Sequence, residues 1–394
     1  MIRSCGPRNN TSALADEGYR GLGVPHAVTL VPGDGVGPEV VAATVRVLEA
    51  CVAIEWDVQD AGSRSLGRGG RALPEAVVES MRRTGVGLKG PLQTSRNIPG
   101  GSPNVALRKT LGLHTTIRPC RARGPIGADR EVDLVVVKMN QEDLYARIGL
   151  APPEAAAELS DIVRAASGLE LGEDAAVSLR PISRSAARRT IETAFAYARE
   201  NGRRRVTALH KAVLIPETDG LFLEVAREVG EEYPDIEQDD ALIDTACERL
   251  ISRPSAYDVL VMPRMYGDIV SGIAAALVGG PGVAPGVNVG EGCAVFEAMH
   301  GSAPRLAGTG RANPLALILS GALLLRHVGE ARAADRLEAA VSDVTAGPTL
   351  TYDLDPAGAA AGTDEVADAV IAALHATDPT ARESDNETAE DRTS

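Results

Sequence analysis

The chain alternates short apolar runs with stretches of helical periodicity, and this alternation is what most limits its possible folds. The first run, 27–31, is rich in β-branched residues, ends in a glycine-rich turn, and precedes helical periodicity over 39–52. A strand, a turn and a helix in this order open an α/β unit. The rest of the alternation predicts an α/β fold with a largely parallel sheet. Further strands are predicted at 134–137, 176–179, 206–209 and 259–262, and helices at 185–201, 221–229, 239–252, 268–278 and 313–328.

Size and charge exclude several classes of protein. With 394 residues, 44% of them hydrophobic, the chain can build two domains. A net charge of −14, from 40 basic and 54 acidic residues, argues against a nucleic-acid partner. We expect no membrane span, because no run approaches the roughly 18 apolar residues that a bilayer requires. The five scattered cysteines suit neither disulfides nor a zinc site, which predicts a cytoplasmic location.

The two ends of the chain differ from its middle. Residues 1–25 lack periodicity and lack the apolar core of a signal peptide, so we predict a disordered N-terminus. Residues 377–394 are polar and acidic, which predicts a disordered tail.

The first glycine-rich turn does not match the common dinucleotide-binding motif. Gly33, Gly35 and Gly37 follow a GxGxG spacing, whereas the motif is GxGxxG, and no acidic residue follows at the expected distance. We therefore predict no Rossmann domain, and a turn that either lines a ligand or only connects two elements. The loop 279–286, also rich in glycine, leaves the same two alternatives open.

Two acidic residues stand in or beside apolar segments, Asp244 in 239–244 and Asp268 in 266–271. Burying a carboxylate is costly unless a cation or a donor compensates it. Oxygen ligands suit Mg²⁺ or Mn²⁺, so a metal site is one hypothesis. A helix cap or an ion pair would explain the same residues.

A set of ordered motifs is more specific than any of these features alone. The chain resembles the isocitrate/isopropylmalate dehydrogenase family of metal-dependent decarboxylating dehydrogenases over about 26–375, and most closely its isocitrate branch. The motifs that carry the resemblance are PGDGVGPE (32–39), GPLQT (90–94), SPNVALR (102–108), IRP (117–119), NQEDLY (140–145), HKA (210–212), DGLF (219–222), YGDIVS (266–271), FEAMHGSAP (296–304) and ANP (312–314).

The resemblance implies the isopropylmalate dehydrogenase-like fold. It implies a large discontinuous α/β domain formed by 26–112 and 279–376. It also implies a small α/β domain formed by 113–142 and 185–278, and a clasp formed by 143–184. Family members form homodimers with shared active sites, so the expected partners are a second copy and a small polycarboxylate.

The resemblance also implies the chemistry. Asp244 and Asp268 match the family's metal ligands, and Asp244 is expected to reach the neighbouring subunit's site. Lys211 matches the residue that assists removal of the substrate's hydroxyl proton, and Tyr145 matches the acid that protonates the enolate. Without the resemblance, Lys211 would be read as a surface lysine and Tyr145 as an ordinary half-buried tyrosine.

Five further residues match positions that bind substrate. Arg108 and Arg118 match clamps for carboxylates, which a guanidinium binds with two parallel hydrogen bonds. Lys138 stands where the family has another such arginine, and keeps its charge without its planar fork. Ser102 and Asn104 match the pair that holds the distal carboxylate in the isocitrate branch. Ser102 could also cap the helix that follows it.

The cofactor contacts are carried over in the same way. Arg305 stands where NAD-using members have an acidic residue, so NADP is favoured over NAD, although Leu306 and Pro356 depart from the NADP pattern. The cofactor positions are Thr94, His300, Gly301, Ser302, Ala303, Arg305, Asn313 and Tyr352.

Four residues break the family pattern: Lys138, Val213, Arg264 and Gly272. Gly272 stands where a third aspartate is expected, and Val213 and Arg264 each replace an asparagine. We interpret these departures as retained chemistry on an altered substrate, such as an isocitrate homologue or an analogue with another anionic group. The alternatives are a catalytically weak regulatory subunit and a specialised biosynthetic dehydrogenase.

Overall fold

The computed structural model describes residues 25–68, 70–94, 102–127, 131–355 and 358–376. Pro356 and nearly all of the two segments predicted to be disordered, 1–25 and 377–394, lie outside them. Strands β1 to β12 are His26–Val31, Ile54–Val58, Val86–Lys89, Leu113–Arg121, Asp133–Met139, Ile148–Leu150, Val177–Leu179, Arg205–His210, Glu237–Leu242, Val259–Met262, Val287–Gly290 and Cys293–Glu297. Helices α1 to α12 are Gly37–Glu49, Ser63–Gly67, Glu75–Thr84, Pro103–Thr110, Glu154–Ser167, Arg184–Glu200, Leu221–Glu231, Ile243–Ser252, Arg264–Leu277, Leu315–His327, Ala331–Ala346 and Thr363–Ala376.

One ten-stranded sheet runs through the molecule, in the order β2-β1-β3-β12-β11-β4-β5-β10-β8-β9. Strands β11 and β4 pair antiparallel with both of their neighbours, and all other pairs are parallel. The predicted α/β fold is confirmed. The five strands from the predicted large domain fill one half of the sheet, and the five from the predicted small domain fill the other.

A separate two-stranded sheet contains β6 and β7. The strand predicted at 176–179 therefore exists, but it pairs within the predicted clasp rather than in the main sheet. Helix α5 lies between these two strands in the chain. The domain and clasp boundaries themselves remain predictions.

The helix predicted at 239–252 is wrong in its first part. Glu237–Leu242 forms edge strand β9, and the helix begins only at Ile243. Most of β9 is exposed, and its backbone pairs with β8. Pairing at a sheet edge has overridden the local helical pattern, because acidic side chains can point into solvent from an edge strand.

The core is aliphatic and packs on both faces of the sheet. Strands β5 and β10, which pair parallel with each other near the middle of the sheet, are buried almost throughout, as expected for strands covered on both faces. Phe195 and Phe222 are among the largest buried side chains. Within the described residues, no helix is long and apolar enough to cross a membrane.

The GxGxG turn packs closely against the loop 300–303. Gly35 has a φ of +61°, and an added Cβ would collide with the carbonyl of Ser302. The Val36 amide donates to that carbonyl at 2.9 Å. Asp34, in the same turn, accepts from the amides of Ser63 and Gln93, each at 2.7 Å. The turn therefore holds the 300–303 loop against the start of α1, which only glycine at position 35 allows.

Candidate active site

An open cleft of about 1020 Å³ lies where β3, β12, α4 and the start of α9 meet. It brings together most of the residues predicted to bind substrate, and part of the predicted cofactor set. The predicted site residues that line it are Thr94, Ser102, Asn104, Arg108, Arg118, Tyr145, Asp268, His300, Gly301 and Ser302.

Asp268 is the centre of the predicted chemistry in this cleft. Its Oδ1 accepts from Lys138 Nζ at 2.6 Å, and its Oδ2 accepts from the Tyr145 hydroxyl. Burial raises the pKa of the Asp268 carboxyl, but the charge and hydrogen bond of Lys138, the Tyr145 hydrogen bond and the charge of Arg118 together lower it, and the net shift is downward. Asp268 is therefore an ionised carboxylate, which suits a metal ligand.

Lys138 lies below the cleft surface. Its side chain is only 1% exposed, and its stem fills the space that a Cβ at Gly267 would occupy. Burial and the nearby Arg118 lower the pKa of Lys138 to about 7, although Asp268 acts in the opposite direction. Its contact in this structure is with the predicted metal ligand, so a direct role in substrate binding remains a prediction.

Tyr145 is held in its protonated form. Burial and the hydrogen bond to Asp268 raise the pKa of its phenol to about 12. The guanidinium of Arg264 lies 3.8 Å from the centre of the ring. A phenol that keeps its proton at neutral pH can act as a general acid.

Arg108 is fixed by a buried carboxylate that the sequence reasoning missed. Its Nη2 donates to Glu297 Oε1 at 2.6 Å, and Lys89 Nζ lies 2.7 Å from Glu297 Oε2. Burial raises the pKa of Glu297, but the two cations hold it well below its ordinary value. The sequence did offer a signal for this contact, because a charged residue ends each of the buried strands β3 and β12: Lys89 and Glu297.

Ser102 and Asn104 are placed at the cleft and make local contacts there, although the Asn104 Oδ1 is enclosed without a partner among the described residues. Ser102 stands at the N-cap position of α4, yet its side chain makes no capping bond and instead meets the Thr94 hydroxyl at 3.0 Å. The capping alternative is therefore wrong. The Asn104 amide donates to the Leu92 carbonyl at 3.0 Å.

Lys211 and Asp244 do not line this cleft. They form a pair of their own, with Nζ and Oδ1 2.6 Å apart, and Asp244 is an exposed residue. The hydrogen bond from Lys211 lowers the pKa of the Asp244 carboxyl. In the described part of the chain, no three His, Cys, Asp or Glu residues cluster as a metal site. Of the two predicted metal ligands, a single copy therefore supplies only Asp268 to the cleft.

A buried network that the sequence reasoning also missed joins the predicted clasp to the half of the sheet that comes from the predicted small domain. Arg180 donates to Asp143 at 2.7 Å and also contacts Asp219. Asp219 accepts from the Lys211 amide at 2.6 Å and from the Tyr266 hydroxyl at 2.9 Å. The network thus positions the backbone at Lys211 and the first turn of α9.

The predicted cofactor residues fall into two groups. Thr94, His300, Gly301 and Ser302 line the cleft, whereas Ala303, Arg305, Asn313 and Tyr352 do not. The Nε2 of His300 is enclosed without a partner among the described residues, and burial lowers the pKa of its ring. A neutral ring with an unused nitrogen fits a polar ligand such as a nicotinamide cofactor.

The second group is partly occupied by other contacts. Asn313 Nδ2 donates to Asp353 at 3.0 Å, and Arg311 lies over the Tyr352 ring at 5.1 Å. Arg305 is exposed and has no carboxylate partner among the described residues. Arg305 is therefore free to meet a ligand, whereas the Asn313 amide already has an acceptor.

The family model for isocitrate/isopropylmalate dehydrogenase matches residues 27–370. The chain belongs to this family. The crystal structure of isocitrate dehydrogenase from Methylococcus capsulatus aligns with a TM-score of 0.80 and 40% identity, over 89% of this chain and 99% of that one. The predicted family and its fold are confirmed.

Sequence identity alone does not choose a branch within the family. The Homo sapiens protein named mitochondrial isocitrate dehydrogenase [NAD] subunit alpha is 40% identical, over 83% of this chain and 85% of its own. A mitochondrial regulatory subunit of the NAD enzyme from Dictyostelium discoideum is 39% identical, over 87% and 89%. A chloroplastic 3-isopropylmalate dehydrogenase of Solanum tuberosum is 40% identical, over 81% and 85%. The choice between the isocitrate and the isopropylmalate branch must therefore rest on the residues of the site.

Proposed function

We propose that the protein catalyses the oxidative decarboxylation of isocitrate or a closely related 2-hydroxy polycarboxylic acid, with hydride transfer to NAD or NADP. The observation that carries this proposal is the Tyr145–Asp268 hydrogen bond in the wall of a cleft that also presents Arg108 and Arg118. The reaction needs an acid for the enolate, a carboxylate for the metal and guanidinium groups for the substrate's carboxylates, and the cleft provides all three.

The binding step and the two proton-transfer steps can each be assigned to residues. Arg108 and Arg118 hold the substrate carboxylates, so that the hydroxyl-bearing carbon faces the nicotinamide. Lys211 of a second copy assists loss of the hydroxyl proton as the hydride leaves. The β-keto acid loses carbon dioxide, and the Tyr145 phenol protonates the enolate carbon.

The donor set partly fits a divalent metal. Asp268 and Asp244 of a second copy would hold Mg²⁺ or Mn²⁺, which when bound polarises the substrate's hydroxyl and stabilises the resulting oxyanion. Lys211 and Asp244 do not line the cleft of their own copy, which supports a homodimer in which they reach the cleft of the partner. Several relatives are named as subunits of multi-subunit enzymes, so a second kind of subunit is the alternative partner.

Gly272 stands where the family motif has a third aspartate, and this missing carboxylate gives a test of the metal site. An added Cβ at Gly272 meets nothing within 4 Å, so Gly272→Asp has room and restores the carboxylate of the family motif. We expect this variant to reach half-maximal activity at a lower Mg²⁺ concentration than the wild type. Titrations with Mg²⁺ would measure this, and Gly272→Ala is the control for helix propensity. An unchanged requirement would remove position 272 from the metal site.

Arg305 tests the choice of cofactor. Its exposed guanidinium, which has no carboxylate partner among the described residues, supports NADP, because a cation can pair with a 2′-phosphate. The names of several relatives specify NAD instead. We expect Arg305→Asp to shift the ratio of kcat/KM for NADP over NAD by about tenfold or more towards NAD. Steady-state kinetics with both cofactors gives the ratio. If the ratio does not move, Arg305 lies outside the cofactor site.

A regulatory subunit is the second candidate function. Gly272, Val213 and the Lys138–Asp268 pair favour it, since they alter the site. A relative named a regulatory subunit is 39% identical to this chain, and one named a catalytic subunit is 41% identical. The cytoplasmic location also remains a prediction, because the names of several relatives carry the word mitochondrial.

The deciding experiment is reduction of the nicotinamide cofactor by the purified protein. NAD and NADP are offered with Mg²⁺ or Mn²⁺ and with isocitrate, homoisocitrate, isopropylmalate or tartrate. We expect turnover of isocitrate or homoisocitrate, and its loss after exhaustive chelation with EDTA. Full activity after chelation contradicts the metal proposal, and silence on all substrates favours the regulatory subunit.

A further inference from the structure

Arg264 places a guanidinium in the wall of the cleft, where the family motif has an asparagine. It is the first residue of α9, directly after β10 and Pro263, and it is only 4% exposed. Its Nη1 donates to the Asn140 carbonyl. Its Nε is enclosed and has no acceptor among the described residues. A buried donor without an acceptor is uncommon, because it has lost water and gained no partner.

The protein's own carboxylates in the cleft are already paired. Glu297 is shared by Lys89 and Arg108, and Asp268 is bound by Lys138. Among the described residues, neither Arg118 nor Arg264 forms an ion pair with a carboxylate. Two buried guanidinium groups therefore line the cleft without a direct ion pair, and the carboxylates nearest to them are already bound by other cations. An anionic ligand would give them a direct partner.

Helix α9 carries two departures from the family motif, and both of them make the local charge more positive. Arg264, Asp268 and Gly272 are spaced four residues apart, so they lie along one side of α9. The first two line the cleft, and Gly272 lacks the carboxylate of the family motif. Arginine for asparagine and glycine for aspartate together make this side two charges more positive than the motif.

We propose that Arg264 is a specificity-determining residue that binds an ionised oxyanion of the substrate. The substrate is then a 2-hydroxy acid with more negative charge than isocitrate, such as one in which a phosphonate replaces a carboxylate. This inference rests on the proposed function and names its substrate class. A guanidinium suits such a group, because it donates two parallel hydrogen bonds and is always charged.

The test compares two ligands by calorimetry on the full-length wild-type protein with Mg²⁺. The ligands are isocitrate and its analogue with a phosphonate in place of the distal carboxylate. We expect the analogue to bind about tenfold more tightly or better. Arg264→Gln keeps an N–H for the Asn140 carbonyl but loses the charge, and it is expected to abolish this preference. Arg264→Lys keeps the charge and is expected to retain part of it.

Arg147→Asn is the matched control. Arg147 lines the same cleft but is exposed, and its φ of 56° is one that asparagine tolerates. Because Arg147 is exposed, solvent screens its charge, and its loss is expected to change the ratio of the two affinities much less than Arg264→Gln does. A wild-type preference for isocitrate, or an unchanged ratio in Arg264→Gln, would overturn the inference and leave Arg264 as a support for the Tyr145 ring. Binding is measured without turnover, so failure of the proposed function is seen separately, as absence of cofactor reduction with either ligand.

Discussion

Replacing Lys211 with alanine is expected to lower kcat by about 10²- to 10⁴-fold, the usual contribution of a positioned proton-transfer group. The fold should survive, because the side chain is partly exposed and pairs with the exposed Asp244. Steady-state kinetics measures the loss, and thermal unfolding checks the fold. Unchanged activity would show that another group removes the hydroxyl proton.

The same variant tests whether active sites are shared between copies. Tyr145→Phe, expected to be impaired in protonating the enolate, is coexpressed with Lys211→Ala, each with its own affinity tag. In a heterodimer, one site combines the intact Tyr145 of one copy with the intact Lys211 of the other. Heterodimers isolated through both tags should recover about half of the wild-type activity if the interface has twofold symmetry. If each site belongs to one chain, the heterodimer stays impaired.

The sequence predicted the fold class because its strongest signals are local. Apolar β-branched runs predicted β5, β8 and β10 almost to the residue. The prediction of a helix at 239–242 was wrong, because this acidic segment is a strand that pairs with β8, which is a contact between distant parts of the chain. Local periodicity cannot report such a contact.

The sequence predicted which residues of the ordered motifs would line the cleft. It did not predict which charged residues would contact each other there. Tyr145, Arg108 and Asp268 lie in one cleft, as the ordered motifs implied. The sequence could not show that Lys138 would bond to Asp268, or that Arg264 would lie on the Tyr145 ring. These contacts depend on how α9 packs beside β5, so they became visible only in the structure.

The buried cluster of Lys89, Glu297 and Arg108 gives the prediction with the largest expected effect on stability. Glu297→Gln removes the only negative charge of the three and leaves two cations close together, with the side chains of Lys89 and Glu297 at 3% and 9% exposure. Breaking a buried ion pair from one side costs about 3–5 kcal/mol in the free energy of unfolding. Chemical denaturation at a fixed protein concentration measures this loss.

The pH dependence of stability has a definite sign for the same residue. Because the folded state lowers the pKa of Glu297 below its ordinary value of 4.5, its stabilising effect is complete above that pH. It is lost as the pH falls through the folded-state pKa, so the wild type should lose stability in acid and the variant should lose less.

Glu224→Gln is the control for the Glu297→Gln variant, because Glu224 pairs with Arg184 at the exposed surface, where the cost in the free energy of unfolding should stay below about 1 kcal/mol. A Glu297→Gln protein as stable as this control would mean that the two cations tolerate each other, and Arg108 would then be held by something other than Glu297.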